Sequence, residues 1–186
     1  MIQYKAILVF IITLNVLGSS FAQRVYKEKP IASDTIVWKD FNEEQYQLKY
    51  PSDWTVDLSG KIGTSFIFFS PSSDEADKFS ENVNLLIQDL SAFDVTLDQY
   101  VKVSEGQVES VITDGKILMS DRKEKNEQEY QRIIYTGKQG EFNLKFEQYY
   151  WVIDEKAYVL TLTCEEDEFE NYQETGETIL NSFVLK

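Results

Sequence analysis

The sequence contains no histidine and a single cysteine, and both features limit its chemistry. Without histidine there is no Ser-His-Asp or Cys-His catalysis and no zinc site built on imidazole. With one cysteine there is no Cys-x-x-Cys redox motif, no thiolate zinc site and no intramolecular disulfide, so the core itself must supply the stability. Cys164 continues the strand-like segment Leu160–Thr163 and has no base to activate it. It is predicted to be buried and unreactive.

Basic residues are also scarce, since 18 lysines and arginines stand against 32 aspartates and glutamates, for a formal net charge of −14. A chain this acidic is repelled by phosphate backbones and anionic lipids, which argues against nucleic-acid binding. Basic proteins and cations are compatible partners. The simplest interpretation of the charge is nevertheless solubility.

The first 22 residues have the layout of a secretory signal peptide. Lys5 precedes the apolar run Ala6–Leu17, and Ser20 and Ala22 are the small residues before a cut between Ala22 and Gln23. The run is too short to cross a bilayer comfortably, and no cysteine follows it that could carry a lipid anchor. The mature protein is therefore predicted to be exported, periplasmic or secreted, without a membrane anchor. Loss of Lys5 changes its net charge from −14 to −15.

After the leader, residues 23–33 are polar, include a proline and are predicted to be a tether, and residues 34–186 are predicted to form one domain. Most of this domain alternates with the period of half-buried strands. The predicted strands are Thr35–Asp40, Glu44–Tyr50, Trp54–Leu58, Ser65–Ser70, Asn82–Leu90, Lys116–Asp121, Glu129–Gly137, Phe142–Ile153 and Ala157–Thr163. Within Phe142–Ile153, Tyr149 and Trp151 are predicted to share one face of the sheet, with Tyr150 on the other and all three in the core.

Two segments have helical periodicity instead. Thr96 and Gln99 form a capping-box pattern before an amphipathic stretch, and Gly115 is the predicted stop after that helix. The second helix is predicted from about Glu166 to Asn181, with the acidic residues 165–168 in its first turn, where the helix dipole favours negative charge. Gly176 lies inside this helix and indicates tight packing on the sheet. These elements predict an α+β domain with an antiparallel sheet and helices on both faces.

The order of several short motifs resembles that of the PsbP-like family, named for an extrinsic protein of photosystem II. The motifs are Tyr50–Trp54, Phe68–Pro71, Asn82–Leu85, Thr96–Tyr100, Tyr158–Thr161, Phe169, Tyr172 and Ile179–Phe183. The resemblance covers nearly the whole mature chain. It implies a PsbP-like α/β/α sandwich, and it implies a protein-binding role more than any chemistry, because most known members bind proteins and no catalytic motif is shared. Fold alone does not carry function.

Carboxylates are the residues left that could carry chemistry. Asp74, Glu75 and Asp77 are dense enough to hold a hard cation, although a solvated acidic loop is the preferred interpretation. A pair of acids could also make a glycosidase, but with 32 acids such a pair is uninformative. The sequence therefore predicts no catalytic residue and no cofactor. The leading hypothesis is a non-catalytic exported module that binds a protein, and the alternatives are an extracytoplasmic cation or small-ligand binder and a carboxylate-based hydrolase. Nothing in the sequence predicts the partner or the oligomeric state.

Overall fold

The computed structural model describes residues 36–72 and 77–186 of the chain. The predicted leader, its Ala22–Gln23 cleavage site and the tether lie outside these residues. The elements in chain order are β1 (Trp38–Asn42), β2 (Tyr46–Pro51), β3 (Thr55–Asp57), β4 (Thr64–Phe69), β5 (Asn82–Asp89), α1 (Leu97–Val111), β6 (Thr113–Lys125), β7 (Gln128–Gln139), β8 (Phe142–Ile153), β9 (Lys156–Glu165), α2 (Phe169–Ser182) and β10 (Val184–Leu185). A 3-10 turn, Lys61–Gly63, precedes β4.

The strands form two antiparallel sheets. Seven of them pair in the order β3-β4-β5-β9-β8-β7-β6, which contains the predicted meander, and the other three pair in the order β1-β2-β10. The three-stranded sheet departs from the single sheet expected from the sequence: the last strand of the chain returns to pair with β2, through Val184 opposite Gln47. The fold is therefore α+β, with antiparallel sheets and two helices among the described residues.

Two core clusters take alternate residues from the same strands of the large sheet. In β8, Tyr149 and Trp151 belong to the cluster that includes α2 residues, whereas Tyr150 belongs to the cluster that includes α1 residues. All three are buried, as predicted. Because neighbouring strand residues point to opposite faces, the two clusters lie on opposite sides of the sheet. The α2-side cluster also contains Tyr46 and Leu48 from the three-stranded sheet.

The predicted capping box of α1 is present: the Thr96 hydroxyl accepts from the backbone N–H of Gln99, and the Gln99 side chain accepts from the backbone N–H of Thr96. The predicted stop at Gly115 is wrong, since α1 ends at Val111 and Gly115 lies inside β6. Its backbone passes so close to the helix end that a Cβ there would lie 2.0 Å from the Val108 carbonyl oxygen. Glycine is required for this close approach.

The second helix begins later than predicted. It starts at Phe169 instead of Glu166, and the acidic residues 165–168 form the end of β9 and a turn before it. The inference from Gly176 is confirmed, because a Cβ at this position would lie 2.4 Å from Cδ2 of the buried Leu162. The helix thus lies directly on β9. Neither described helix is long and apolar enough to span a bilayer.

Candidate functional site: an acid-rimmed depression

A surface depression lies at the end of the large sheet where β5 ends and β8 turns into β9. It consists of two adjoining hollows of about 370 and 460 Å³, both open to solvent, which share Ser91, Asp154 and Glu155. The full lining is Ile87, Asp89, Leu90, Ser91, Ala92, Phe93, Asp94, Val95, Val152, Asp154, Glu155 and Lys156. We call this surface the acidic depression.

Local hydrogen bonds hold the walls of the acidic depression in place. The backbone N–H of Leu90 donates to the Glu155 carbonyl at 2.7 Å, which ties the loop after β5 to the β8–β9 turn. Within the loop, the N–H of Phe93 donates to the Leu90 carbonyl at 2.7 Å. The β8–β9 turn places Asp154 and Glu155 at φ 48° and 58°, a left-handed conformation that non-glycine residues adopt at an energetic cost. Two acids are therefore fixed in a tight turn where glycine or asparagine is favoured.

The depression combines negative charge with an exposed aromatic ring. Its rim carries the exposed carboxylates of Asp89, Asp94, Asp154 and Glu155. Asp89 accepts a hydrogen bond from the backbone N–H of Ser91 at 2.8 Å, and this bond and that of the Ser91 hydroxyl lower the pKa of the Asp89 carboxyl. Phe93 stands in the middle of the loop with 40% of its surface exposed.

This geometry suits a binding surface better than an acid–base site. General acid catalysis by a carboxyl group requires a raised pKa, usually produced by burial. The rim acids are exposed, and the pKa of Asp89 shifts in the opposite direction. An exposed aromatic ring with charges around it is the composition typical of the centre and rim of a protein interface.

Glu81 is a buried acid that lies outside the acidic depression. It precedes β5, is 2% exposed, and accepts a hydrogen bond from the Ser70 hydroxyl at 3.2 Å. Burial raises the pKa of this carboxyl to about 7, and the negative charges of Asp77 and Glu165 raise it further, against hydrogen bonds that lower it. Glu81 in turn raises the pKa of the Tyr172 phenol on α2, which burial already raises.

A second buried acid joins two strands to α2. Glu147 on β8 is fully buried, and its Oε1 accepts from Nε of Arg132 on β7 at 2.7 Å. The same guanidinium binds Oε1 of Glu177 on α2 at 2.9 Å. Burial raises the pKa of Glu147, and the Arg132 guanidinium opposes that rise. Glu147 and Glu81 each have their own polar partner and neither lines the acidic depression, so they do not form a catalytic carboxylate pair there.

The candidate metal ligands are only partly described. Asp74 and Glu75 lie outside the described residues, and Oδ1 of Asp77 accepts the backbone N–H of Phe79 at 3.2 Å. Within residues 36–72 and 77–186, no group of three or more Asp, Glu or Cys side chains has the arrangement of a metal site. The burial predicted for Cys164 is confirmed, and burial raises the pKa of its thiol well above the ordinary value.

Sequence reasoning missed the residues of the acidic depression. Asp154 and Glu155 lie between the predicted strands Phe142–Ile153 and Ala157–Thr163, and the periodicity of strands and helices does not distinguish them or Phe93 as a site. Two signals were present in the sequence: a phenylalanine beside an aspartate in a polar loop, and two acids at a two-residue hairpin turn where Asn-Gly is the usual choice. What brings them together is the pairing of β5 with β9, which places Asp89 opposite Lys156.

The described residues thus form an α+β fold of two antiparallel sheets and two helices. An open surface with an acidic rim lies at one end of the large sheet. The chain belongs to the PsbP family, whose sequence pattern matches residues 37–185. The resemblance found in the sequence is thus confirmed. No curated protein sequence matches the chain.

Solved structures share this fold at low identity. Cyanobacterial PsbP (CyanoP) from Synechocystis sp. PCC 6803 is 16% identical with a TM-score of 0.61, over 87% of this chain and 99% of that one. LpqN of Mycobacterium tuberculosis, described as involved in cell envelope biogenesis, is 11% identical with a TM-score of 0.57, over 82% and 92%. PA94 of Pseudomonas aeruginosa, a protein of unknown function, is 15% identical with a TM-score of 0.56, over 80% and 97%. At such identities the likeness shows the fold alone.

Proposed function

We propose that this protein is an exported, non-catalytic accessory module that binds another protein through the acidic depression. The observation that carries the proposal is the position of Phe93, an exposed ring in the same open hollow as Asp94, Asp154 and Glu155. An open surface of this kind leaves most of a small ligand in solvent, whereas pockets for small molecules bury most of their ligand. A protein segment can cover it.

The charge of the rim selects the chemistry of the partner. Asp89, Asp94, Asp154 and Glu155 stand against Lys156 alone in the lining. Complementary charge steers association and excludes partners of like charge. The partner segment should therefore be rich in lysine or arginine and should carry one apolar side chain to cover the Phe93 ring.

Export rests on the leader-like first 22 residues and on the kind of relative that shares the fold. LpqN is described as acting in cell envelope biogenesis, and we propose an extracytoplasmic location for this chain as well. We further propose that the layers form the α/β/α sandwich implied by the family resemblance, because α1 and α2 contribute to core clusters on opposite sides of the large sheet. The three-stranded sheet shares the α2 side.

Site-specific photo-crosslinking tests the proposal. A photoreactive phenylalanine analogue replaces Phe93 in one version of the protein and Leu58 in the other, and each is expressed in the native host. Leu58 is a suitable control because it is 60% exposed, follows β3 and lines neither hollow of the depression. We expect a defined protein to crosslink from position 93 and not from position 58.

Charge variants then test the acid rim. Asp94→Asn combined with Asp154→Asn removes two rim charges and should weaken the position-93 crosslink, while Asp53→Asn, at an exposed site on another turn, should not. An equal yield from both positions, or a yield unchanged in the double variant, would contradict the binding surface. Calorimetric titration with calcium tests the cation alternative. Hydrolysis of a screened substrate that a single Asp or Glu substitution abolishes would replace the proposal with an enzyme.

A further inference from the structure

We propose that the free edge of the large sheet, β6, pairs antiparallel with β6 of a second copy of this chain to form a two-fold dimer. In this dimer Lys116 of each copy lies opposite Asp121 of the other copy. The surface is separate from the acidic depression and shares no residue with it. The inference does not depend on the proposed function.

The β6 strand has the length and exposure that an added strand needs. It ends the order of the seven-stranded sheet, so one of its two edges carries backbone groups that β7 does not use. It is 13 residues long and mostly exposed, whereas β3 at the opposite edge has 3 residues. An edge strand of this length is a template for pairing with another chain.

The edge is also held rigid from the α1 side. The Ser120 hydroxyl donates to Oε1 of Glu105 on α1 at 2.6 Å, and Arg122 forms an ion pair with Asp98 at the start of the same helix. The Nε of Arg122 also donates to Gln131 on β7 at 3.0 Å. Because α1 holds this face, the strand does not have to become ordered when a second strand binds, which reduces the cost of association.

A bulge in β6 decides which registers a second copy can adopt. The pairing with β7 shifts between Thr113 and Lys116 and again between Ile117 and Met119, where Leu118 is an extra residue. Lys116 opposes Thr136 and Asp121 opposes Arg132. Thr136 and Arg132 are four positions apart in β7, so their side chains lie on the same face of the sheet. Lys116 and Asp121, which oppose them, therefore share that face although they are five positions apart in β6. Opposed residues of two paired strands must share a face, and a two-fold axis at the bulge meets this condition.

The charges of β6 are complementary in this register. Each copy contributes Lys116 and Asp121 to the contact, so the same pair of opposite charges occurs twice. A shift of the axis by one residue toward the end of β6 sets Lys116 against Lys123, and it also sets Met119 against Ser120, which lie on opposite faces because they pair with Ile134 and Ile133. Opposite charges directly across two strands stabilise a pair, and like charges destabilise it. The bulge and the charges thus favour the register centred between Leu118 and Met119 over this neighbour.

The centre of this register is apolar. Leu118 is 47% exposed and Met119 is 43% exposed, although both are large hydrophobic residues. In the two-fold arrangement, Leu118 of each copy lies opposite Met119 of the other. Both side chains leave water when the copies pair, which adds the main non-directional driving force for association.

The existing ion pairs of β6 do not oppose the pairing. Asp121 binds Lys123 at 2.6 Å and Asp114 binds Lys138 at 2.8 Å, but exposed pairs of this kind contribute little and can be shared. Lys116 has no ion pair within the described residues. Bulges and charges on an edge usually discourage pairing. Here the two Lys116–Asp121 contacts offset that effect in the register centred on the bulge.

A charge-swap experiment tests the dimer and its register. Sedimentation of the purified protein should show a dimer. Lys116→Asp and Asp121→Lys should each raise the dimer dissociation constant at least tenfold, because each change creates two like-charge contacts across the axis. An equimolar mixture of the two variants should dimerise again. In the mixed dimer, the aspartate introduced at position 116 of one variant faces the lysine introduced at position 121 of the other, and the two unchanged residues, Asp121 and Lys116, face each other.

Matched controls separate this effect from general charge and from misfolding. Lys102→Asp on α1 and Asp53→Lys on a turn make the same changes in net charge at exposed positions away from β6 and should remain dimeric. A zero-length carbodiimide crosslink between Lys116 and Asp121 in a mixture of ¹⁴N- and ¹⁵N-labelled protein should contain one peptide of each label. A monomeric wild-type protein, variants that remain dimeric, or a mixture that fails to associate would each overturn the proposal.

Discussion

The pH dependence of stability should reveal the buried carboxyl of Glu81. This side chain is 2% exposed, and burial raises the pKa of its carboxyl from 4.5 to about 7, with Asp77 and Glu165 adding to the rise. The folded state therefore binds a proton that the unfolded state releases between these two pH values. Because the native state binds more protons there, stability falls as pH increases from 4.5 to 7. A pKa difference of this size corresponds to about 3 kcal/mol.

Glu81→Gln isolates this contribution. Glutamine has nearly the shape of the protonated carboxyl and its oxygen can still accept the Ser70 hydroxyl, which lies 3.2 Å from the glutamate oxygen. The variant should match wild type at pH 4.5 and should be more stable by about 3 kcal/mol at pH 8, where wild type keeps a buried negative charge. Urea unfolding followed by tryptophan fluorescence from pH 4.5 to 8 measures the difference.

Glu174→Gln is the matched control, because residue 174 is an exposed glutamate on α2. Its stability relative to wild type should change little across the same range. If Glu81→Gln changed the stability equally at pH 4.5 and pH 8, the pKa of the carboxyl would not differ between the folded and unfolded states, and the burial argument would be refuted. If Glu81→Gln and Glu174→Gln gained the same stability at pH 8, the burial argument would likewise be refuted.

Three further predictions concern the core and the leader. Gly176→Ala should destabilise the fold by about 1–2 kcal/mol, because the new Cβ would lie 2.4 Å from the Leu162 side chain. Gly106→Ala, whose Cβ would have no atom within 4 Å, should stabilise the fold by up to about 1 kcal/mol. Chemical unfolding of both variants measures these differences. The thiol of Cys164 should react slowly with a thiol reagent until denaturant is added, and rapid labelling of the native protein would contradict its burial. Intact-mass measurement of the exported protein should show Gln23 as its first residue, and retention of the leader would indicate an anchor instead.

The parts of the fold that follow from local patterns could be predicted from the sequence. The strand Phe142–Ile153 has its predicted limits because apolar residues alternate along its whole length and turn residues flank it. The capping box at Thr96 is equally local, since both of its hydrogen bonds link residues three apart. Each of these features depends on residues that are close in the chain.

The parts that depend on distant residues could not be predicted. The three-stranded sheet requires a strand of only 2 residues, Val184–Leu185, to return to β2, and so short a strand has no period to detect. The prediction Lys116–Asp121 covered less than half of β6 because two bulges and a run of charges hide the alternation. The acidic depression could not be predicted for a related reason. Phe93 and Asp154 are distant in the chain, and the pairing of β5 with β9 brings their loops together.

The acidic depression and the β6 edge should act independently, because the proposed dimer axis places the two depressions far apart. An axis perpendicular to the sheet reverses the strand direction, and the acidic depression lies at one end of the strands, beyond Ile153 and Lys156. The two depressions would therefore face opposite ways, at opposite ends of the joined sheets. One short partner segment cannot bridge them, so binding at one depression adds no avidity from the other. Lys116→Asp should dissociate the dimer and leave the crosslink from position 93 unchanged, whereas Phe93→Ala should leave sedimentation unchanged. Loss of the crosslink in folded Lys116→Asp protein would show that the depression requires the second copy.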